Sequence, residues 1–268
     1  MYGRRLKILL RDAIPERWQV PLKYWVDRLR GTIEPEMALL PMLVRKGERA
    51  IDVGANRGTY AIRLGQLGTR VEMFECNPVC LRVIKQWATG QENLTVHATA
   101  LSSAQGEAQL HVPVDAKGVA HDASGSIENT VLGAAELVAV PMKTLDSFGF
   151  TDAALIKIDV EGHEGAVIEG AAQTIAASKP ALIVEIEQRH LPRPITDVFR
   201  DIVAMGYDGW YLDAAKLVPV NSFDLARDQA PGALGLPGAR YINNFLFLCP
   251  VKFAEGHYPG LASLFDAN

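Results

Sequence analysis

Cysteine is scarce in this chain, with three among 268 residues: Cys76, Cys80 and Cys249. An odd count, with no ligand pair near Cys76 and Cys80, excludes a disulfide framework and argues against a cysteine zinc site. Reduced thiols in a cytoplasmic protein are the expectation. Long apolar runs are also missing. No stretch approaches the ~20 residues that a membrane span requires. The run near the N-terminus is too short for a signal peptide, and charge returns at Arg11. The net charge of −4 is not that of a nucleic-acid binder. Internal repeats and low-complexity tracts are absent too. What is present is 49% apolar and 22% charged residues, the balance of a soluble globular protein.

The charge is unevenly spread. Residues 1–46 hold ten Lys/Arg against five Asp/Glu, and the remainder holds 17 against 26. A basic, helical N-terminal extension (1–46) before an acidic domain (47–268) is therefore expected. Pro21 suits the first turn of a helix, and Gly31 suits its end. Between them Leu22, Trp25, Val26 and Leu29 form an apolar face, expected to pack on the domain or in a homodimer rather than on a membrane surface. Pro35 can open a second helix carrying Met37, Leu40, Leu43 and Val44.

From Ala50 the pattern changes to short apolar strands alternating with helices. Strands are expected at Ala50–Val53, Arg70–Phe74, Leu94–Leu101, Leu155–Val160, Ala181–Ile186, Gly206–Leu212 and Tyr241–Leu248. Helices fall at Thr59–Leu67, after Asn77-Pro78, at Gly165–Ala177 and near Thr196–Met205. Near-continuous apolar strands separated by helices mean a mostly parallel sheet covered on both faces. Gly106–Val114 and Glu136–Met142 instead alternate, and read as a hairpin-like insertion. The loop between them, Gly118–Val131, is rich in small and polar residues; its His121, Asp122 and Ser124 could touch a substrate. Pro219–Arg240 reads as loop.

Three places carry chemistry. Asp52-Val53-Gly54-Ala55-Asn56-Arg57-Gly58 closes a strand and opens a helix, where glycine lets a ligand approach the backbone. Its Gly-x-Asn-x-Gly spacing lacks the glycines of a dinucleotide site, and no Tyr-x-x-x-Lys pair supports an NAD-dependent oxidoreductase or epimerase. Glu75 ends the second strand 21 residues after Gly54, the spacing of a ribose-binding acid. In Lys157-Ile158-Asp159-Val160-Glu161, polar residues interrupt an apolar strand at its carboxyl end. There Asp159 and Glu161 face a ligand crevice, and Lys157 lies deeper beside an acid. The intact trio Asp52, Glu75 and Asp159 argues against a non-catalytic cofactor-binding module.

Ile51–Gly58, Phe74-Glu75-Cys76-Asn77-Pro78, Thr144-Leu145-Asp146 and Ile156–Gly162 together resemble the FkbM-type methyltransferases, which are S-adenosylmethionine-dependent O-methyltransferases. The likeness runs from about Gly47 to Glu187, with Asn244–Leu248 also in keeping. Cys76 stands where the family usually has proline. The resemblance implies a Rossmann-like class I methyltransferase fold with a seven-stranded sheet. Asp52, Gly54, Asn56 and Gly58 would surround the methionine end of S-adenosyl-L-methionine, with Glu75 and Asn77 by its ribose and Ala100, Leu101 and Asp159 also lining the cofactor site. The acceptor would be a hydroxyl of a small molecule, a sugar or glycosylated natural product. Asp159, Glu161 and His190 are the catalytic candidates. No tight metal-ligand cluster is legible and no metal site is expected, although Asp159 with Glu185 or Glu187 would be the carboxylates to hold one.

Overall fold

A computed structural model describes residues 14–114, 125–128, 134–234, 236 and 238–265. His121, Asp122 and Ser124 of the insertion loop lie outside the described residues. The chain enters through helix α1 (Glu16–Arg30), a 3₁₀ turn (Pro35–Ala38) and the short helix α2 (Leu40–Leu43). Strand β1 (Arg49–Val53), helix α3 (Thr59–Gln66), strand β2 (Arg70–Glu75), helix α4 (Pro78–Ala88) and strand β3 (Leu94–Ala98) follow. Next come β4 (Ala100–Leu101), β5 (Gly106–Pro113) and β6 (Ala135–Lys143). The second half holds β7 (Ala153–Ile158), α5 (Glu164–Glu169), α6 (Ala172–Ser178), β8 (Ala181–Glu185), α7 (Ile195–Ala204), β9 (Asp208–Asp213), β10 (Lys216–Pro219), α8 (Leu225–Asp228), β11 (Asn244–Leu248) and α9 (Pro250–Ala254).

The main sheet runs β10-β9-β11-β8-β7-β1-β2-β3. Its pairs β3·β2, β2·β1, β1·β7 and β7·β8 are parallel, while β11 is antiparallel to both β8 and β9. Alternate residues of the parallel strands enter two separate cores. Ala50, Leu155 and Ile183 meet Leu64, Ile84, Val20 and Tyr24 on one face. Ile51, Val53, Ile156, Ile158 and Val184 meet Val167, Ile175, Val198 and Phe199 on the other. Both faces being covered is why these strands read as unbroken apolar runs. The architecture is a Rossmann-like α/β sheet with helices on both faces.

Several expectations need correction. The sheet has eight strands, not seven. The extra one, β10, pairs antiparallel with β9 through Ala214 and Ala215, both at positive φ (45° and 67°). Tight hairpin turns of this kind are signalled by Asn-Gly or Asp-Gly, and two alanines give no such cue. The stretch 94–101 is not one strand: it breaks at Thr99, and β4 leaves the main sheet to pair with Met142 and Lys143 of β6. The helix expected at 165–177 is two helices divided at Gly170, where an added Cβ would lie 1.9 Å from the Ser102 carbonyl oxygen.

The N-terminal segment differs most. Pro21 lies inside α1 rather than in its first turn, and the second expected helix is a 3₁₀ turn plus one α-turn. Helix α1 packs across α3 and α4 with Gln19, Val20 and Tyr24. The apolar face read from the sequence does not pack on the domain: Leu22, Trp25 and Leu29 are exposed. Gly31 does end the helix, at φ 66°.

Candidate active site

The turn after β1 builds the floor of the site. Amides of Gly54 and Ala55 both donate to the Phe74 carbonyl (2.9 and 3.0 Å), and Gly58 donates to Ala55 (2.7 Å). The chain follows this path through left-handed residues Gly54 (φ 75°), Asn56 (φ 48°) and Gly58 (φ 69°). Asparagine is among the few side chains that tolerate that region. Gly54 is required for a second reason: a Cβ there would sit 1.8 Å from the Asp159 carbonyl oxygen. The loops after β1 and β7 cross at that point, tied by the Asp159 amide to the Val53 carbonyl (3.0 Å).

Glu75, at the end of β2, is buried and folds back over this turn. Its carboxylate accepts from the amides of Asn56 (2.6 Å), Cys76 (2.8 Å) and Asn77 (2.7 Å). Burial raises its pKa above the ordinary value, and the three amide bonds oppose that rise. Two oxygens offer about four acceptor positions, so capacity remains for a ligand hydroxyl. Asn77 caps α4 by accepting from the Val79 amide (3.0 Å).

Two chambers meet at this crossing. The first is a partly open cleft at the carboxyl ends of the strands. It is lined by Val53, Gly54, Asn56, Phe74, Glu75, Cys76 and Asn77 from the first two strand ends, and by Thr99, Ala100 and Leu101 beyond β3. Leu110, Gly125 and Ile127 close it from the insertion, and Asp159, Val160, Glu161 and His163 from the loop after β7. The second chamber is lined by Lys23, Glu34, Asp52, Thr59, Tyr60 and Lys157, and shares Gly54, Asn56 and Asp159 with the first.

Charge dominates the second chamber. Lys157 is buried; its Nζ donates to Asn244 Oδ1 (3.1 Å), lies 3.8 Å from Glu185 and sits over the Tyr60 ring. Burial works to lower its pKa, but Asp159, Glu185, Glu34 and Asp52 together hold it above the ordinary value. Burial pushes Asp52 up to about 7 against the opposing pull of Lys157. It pushes Asp159 up to about 6, with Lys157 again opposing. Asp52 Oδ2 is buried without a hydrogen-bond partner among the described residues. Glu34 accepts from the Tyr60 hydroxyl (2.7 Å).

At the outer wall, His190 Nε2 lies 2.9 Å from Glu161 Oε2 and 3.9 Å from Glu187 Oε1. Glu161 holds a left-handed backbone (φ 55°). Glu161, Glu187 and His190 bring potential ligand atoms within 4.8 Å of one another. That grouping differs from the carboxylate set named from sequence. Glu187 is engaged by both Arg189 nitrogens and by the Tyr241 hydroxyl, and these hold it below the ordinary carboxylate range although burial opposes them. His163 is pinned between Glu128 (2.6 Å) and Ser102 (2.9 Å).

Asp52, Gly54, Asn56, Glu75, Asn77, Ala100, Leu101, Asp159 and Glu161 thus line one or both chambers. Gly58 lies behind them, packed toward Trp87 and Val20. His190 reaches the wall through Glu161. Gly125 and Ile127, which line the cleft, belong to the 118–131 loop expected to reach the substrate. Sequence reasoning missed Glu34, Tyr60 and Asn244, none of which sits in a local motif that could have signalled it.

A cleft over parallel strand ends, with the buried Glu75 at its floor and a charged chamber beside it, is what this α/β domain presents. Residues 52–208, more than half of the chain, match the model of the methyltransferase FkbM domain. The chain belongs to the FkbM methyltransferase family. That membership favours a methyltransferase over the dinucleotide oxidoreductase. Among solved structures, it is similar to the methyltransferase FkbM from Methylobacillus flagellatus KT, at 18% identity and a TM-score of 0.49 over 88% of this chain. The chain spans only 55% of the length of that protein. It is also similar to a TehB-like SAM-dependent methyltransferase from Corynebacterium glutamicum, at 13% identity and a TM-score of 0.42. That match covers 84% of this chain and 98% of the other. No curated protein matches the chain.

The residues fit S-adenosylmethionine on the structure's own terms. The orphaned Asp52 oxygen and the raised carboxylates are short of positive charge, and the cofactor carries a sulfonium and an ammonium. The crossing at Gly54 leaves no room for a Cβ beside the shared wall.

Proposed function

We propose that the protein transfers a methyl group to a hydroxyl of a small molecule, a sugar or glycosylated metabolite. In this reading the first chamber takes the adenosine, with Glu75 toward the ribose and Ala100 and Leu101 along the base. Asp52 and Glu34 would hold the cationic groups of the methionine end, with Lys23 and Lys157 available to its carboxylate. When bound, the cofactor supplies an electrophilic methyl group on sulfur. The protein's task is then to align a hydroxyl and take its proton.

Asp159 is the residue we assign to that proton, because it alone of the acids lines both chambers. A carboxylate pushed up to about 6 is a better proton acceptor near neutrality than an ordinary aspartate. Glu161 and His190 form the adjacent pair that would orient the acceptor. The second chamber's excess of carboxylates favours a polar acceptor and a charged cofactor end over an apolar ligand.

Asp159→Asn tests the assignment. Turnover should fall by about 10² to 10⁴, while calorimetric affinity for S-adenosylmethionine changes far less. The acid limb of the rate profile, centred near pH 6, should vanish with it. Near-normal turnover at saturating cofactor and acceptor would make Asp159 a structural residue only.

A further inference from the structure

Helix α1 leaves a stripe of large apolar side chains without cover. Trp18 is 56% exposed, Leu22 44%, Trp25 53% and Leu29 83%. At about 100° per residue these four fall within roughly 60° of one another. The face that packs on the domain, Gln19, Val20 and Tyr24, lies on the far side of the helix. The stripe therefore points straight away from the protein.

Its borders are basic. Arg17 and Arg28 project along one flank, and Lys23 and Arg30 along the other. The Arg17 guanidinium lies 5.9 Å from the Trp18 ring, and that of Arg28 lies 5.7 Å from the Trp25 ring. The acids of the helix turn the other way and are engaged: Glu16 pairs with Arg82 (2.6 Å) and Asp27 with Lys23 (2.7 Å). Tryptophan and leucine at the crest, with arginine and lysine along both sides, is the cross-section of a helix that lies in a membrane interface. The rings and leucines enter the acyl boundary, and the cations remain at headgroup level.

We infer that α1 docks the protein flat on an anionic phospholipid surface. Charge complementarity selects this occupant. A second copy meeting the first through the same stripe would bring Arg17, Arg28 and Arg30 against their own equivalents. The preceding sequence continues the pattern, with Arg4, Arg5, Lys7 and Arg11 among Leu6, Ile8, Leu9 and Leu10.

Sedimentation of the full chain with vesicles tests this. Vesicles of phosphatidylcholine with phosphatidylserine should bind the protein at least about tenfold more tightly than phosphatidylcholine alone, and high salt should weaken the binding. The Trp18→Ser/Trp25→Ser variant should lose about tenfold or more while melting at the wild-type temperature, since both rings are exposed. Arg17→Glu/Arg28→Glu should abolish the preference for anionic vesicles. No binding by the wild type, equal binding to both lipids, or full binding by either variant would overturn the inference. So would a dimer in light scattering that the tryptophan variant turns to monomer, since the stripe would then belong to a second copy.

Discussion

The two chambers that meet at Asp159 are built by different means. The first is made of strand ends, backbone amides and apolar side chains, with Glu75 held by three amides close in sequence. The second is made of charged side chains drawn from α1, the turn before Pro35, β1, α3 and β7. One is shaped by local chain geometry, the other by long-range charge pairing. On the proposed placement, rigid backbone receives the flat nucleoside, and opposed carboxylates and ammonium groups receive the charged methionine end. The difference also says where each chamber should break.

Of the residues the chambers share, Gly54 is the one whose lack of a Cβ lets the two loops cross. Gly54→Ala adds a Cβ that meets the Asp159 carbonyl oxygen and must also adopt φ 75°. Clash and strain together should cost about 3 kcal/mol, a fall in Tm of roughly 6–12 °C. Cofactor binding should fall by more than about 100-fold, because the crossing cannot close. Gly149→Ala is the control. That glycine also has positive φ (67°), but open space surrounds its Cβ position, so only the strain of about 1 kcal/mol should remain. Equal melting temperatures for the two variants would remove the crossing from the argument.

The same contrast explains what could be read in the sequence. The turn Asp52–Gly58, Glu75 and Asn77 were legible because their geometry is set by neighbours a few residues away: glycine where φ is positive, asparagine as a helix cap. Lys157 was legible as a buried cation because it interrupts an apolar strand. Glu34 was not, since nothing near Pro35 says that the segment folds back against Tyr60 and Asn244. The break at Gly170 depends on Ser102, 68 positions earlier, and periodicity alone runs straight through it. β10 was hidden by a turn of two alanines. In α1 the apolar spacing gave the right stripe but the wrong direction. A helix with Val20 and Tyr24 on one side and Trp18, Leu22, Trp25 and Leu29 on the other has two apolar faces, and only tertiary contacts choose which is inside.

A smaller effect separates the chambers. Glu75 serves the first alone, so Glu75→Ala should weaken S-adenosylmethionine binding without moving the proton chemistry at Asp159. Losing charge-assisted hydrogen bonds worth roughly 1.5–3 kcal/mol raises the dissociation constant about 10- to 150-fold. Part of that loss comes from the turn itself, because the amides of Asn56, Cys76 and Asn77 also lose their acceptor. Glu75→Gln keeps one carbonyl acceptor and should recover part of the affinity. Calorimetry on both folded variants checks the order; unchanged affinity in Glu75→Ala would remove the ribose role.

The smallest effect belongs to the second chamber, and it is a dependence on pH. Asp52 has its folded pKa raised from an ordinary 3.8 to about 7 by burial. A carboxyl raised in this way favours the folded state most below its unfolded pKa, and that contribution is lost as pH rises through the folded value. The ligand-free protein should therefore lose stability between about pH 4 and pH 7 at this site. A cationic ligand reverses the preference, because it pairs with the ionised carboxylate that burial disfavours. Binding then expels a proton, and affinity rises while Asp52 is still protonated in the free protein. From pH 5.5 to 7 the ionised fraction grows about fifteenfold, so S-adenosylmethionine affinity should grow by roughly the same factor and then level off. Asp52→Asn should flatten the rise. Adenosine, which carries no positive charge and reaches only the first chamber, should bind with little change over that range. A steep pH dependence for adenosine, or an unaltered one in Asp52→Asn, would mean that the titrating group lies outside the charged chamber.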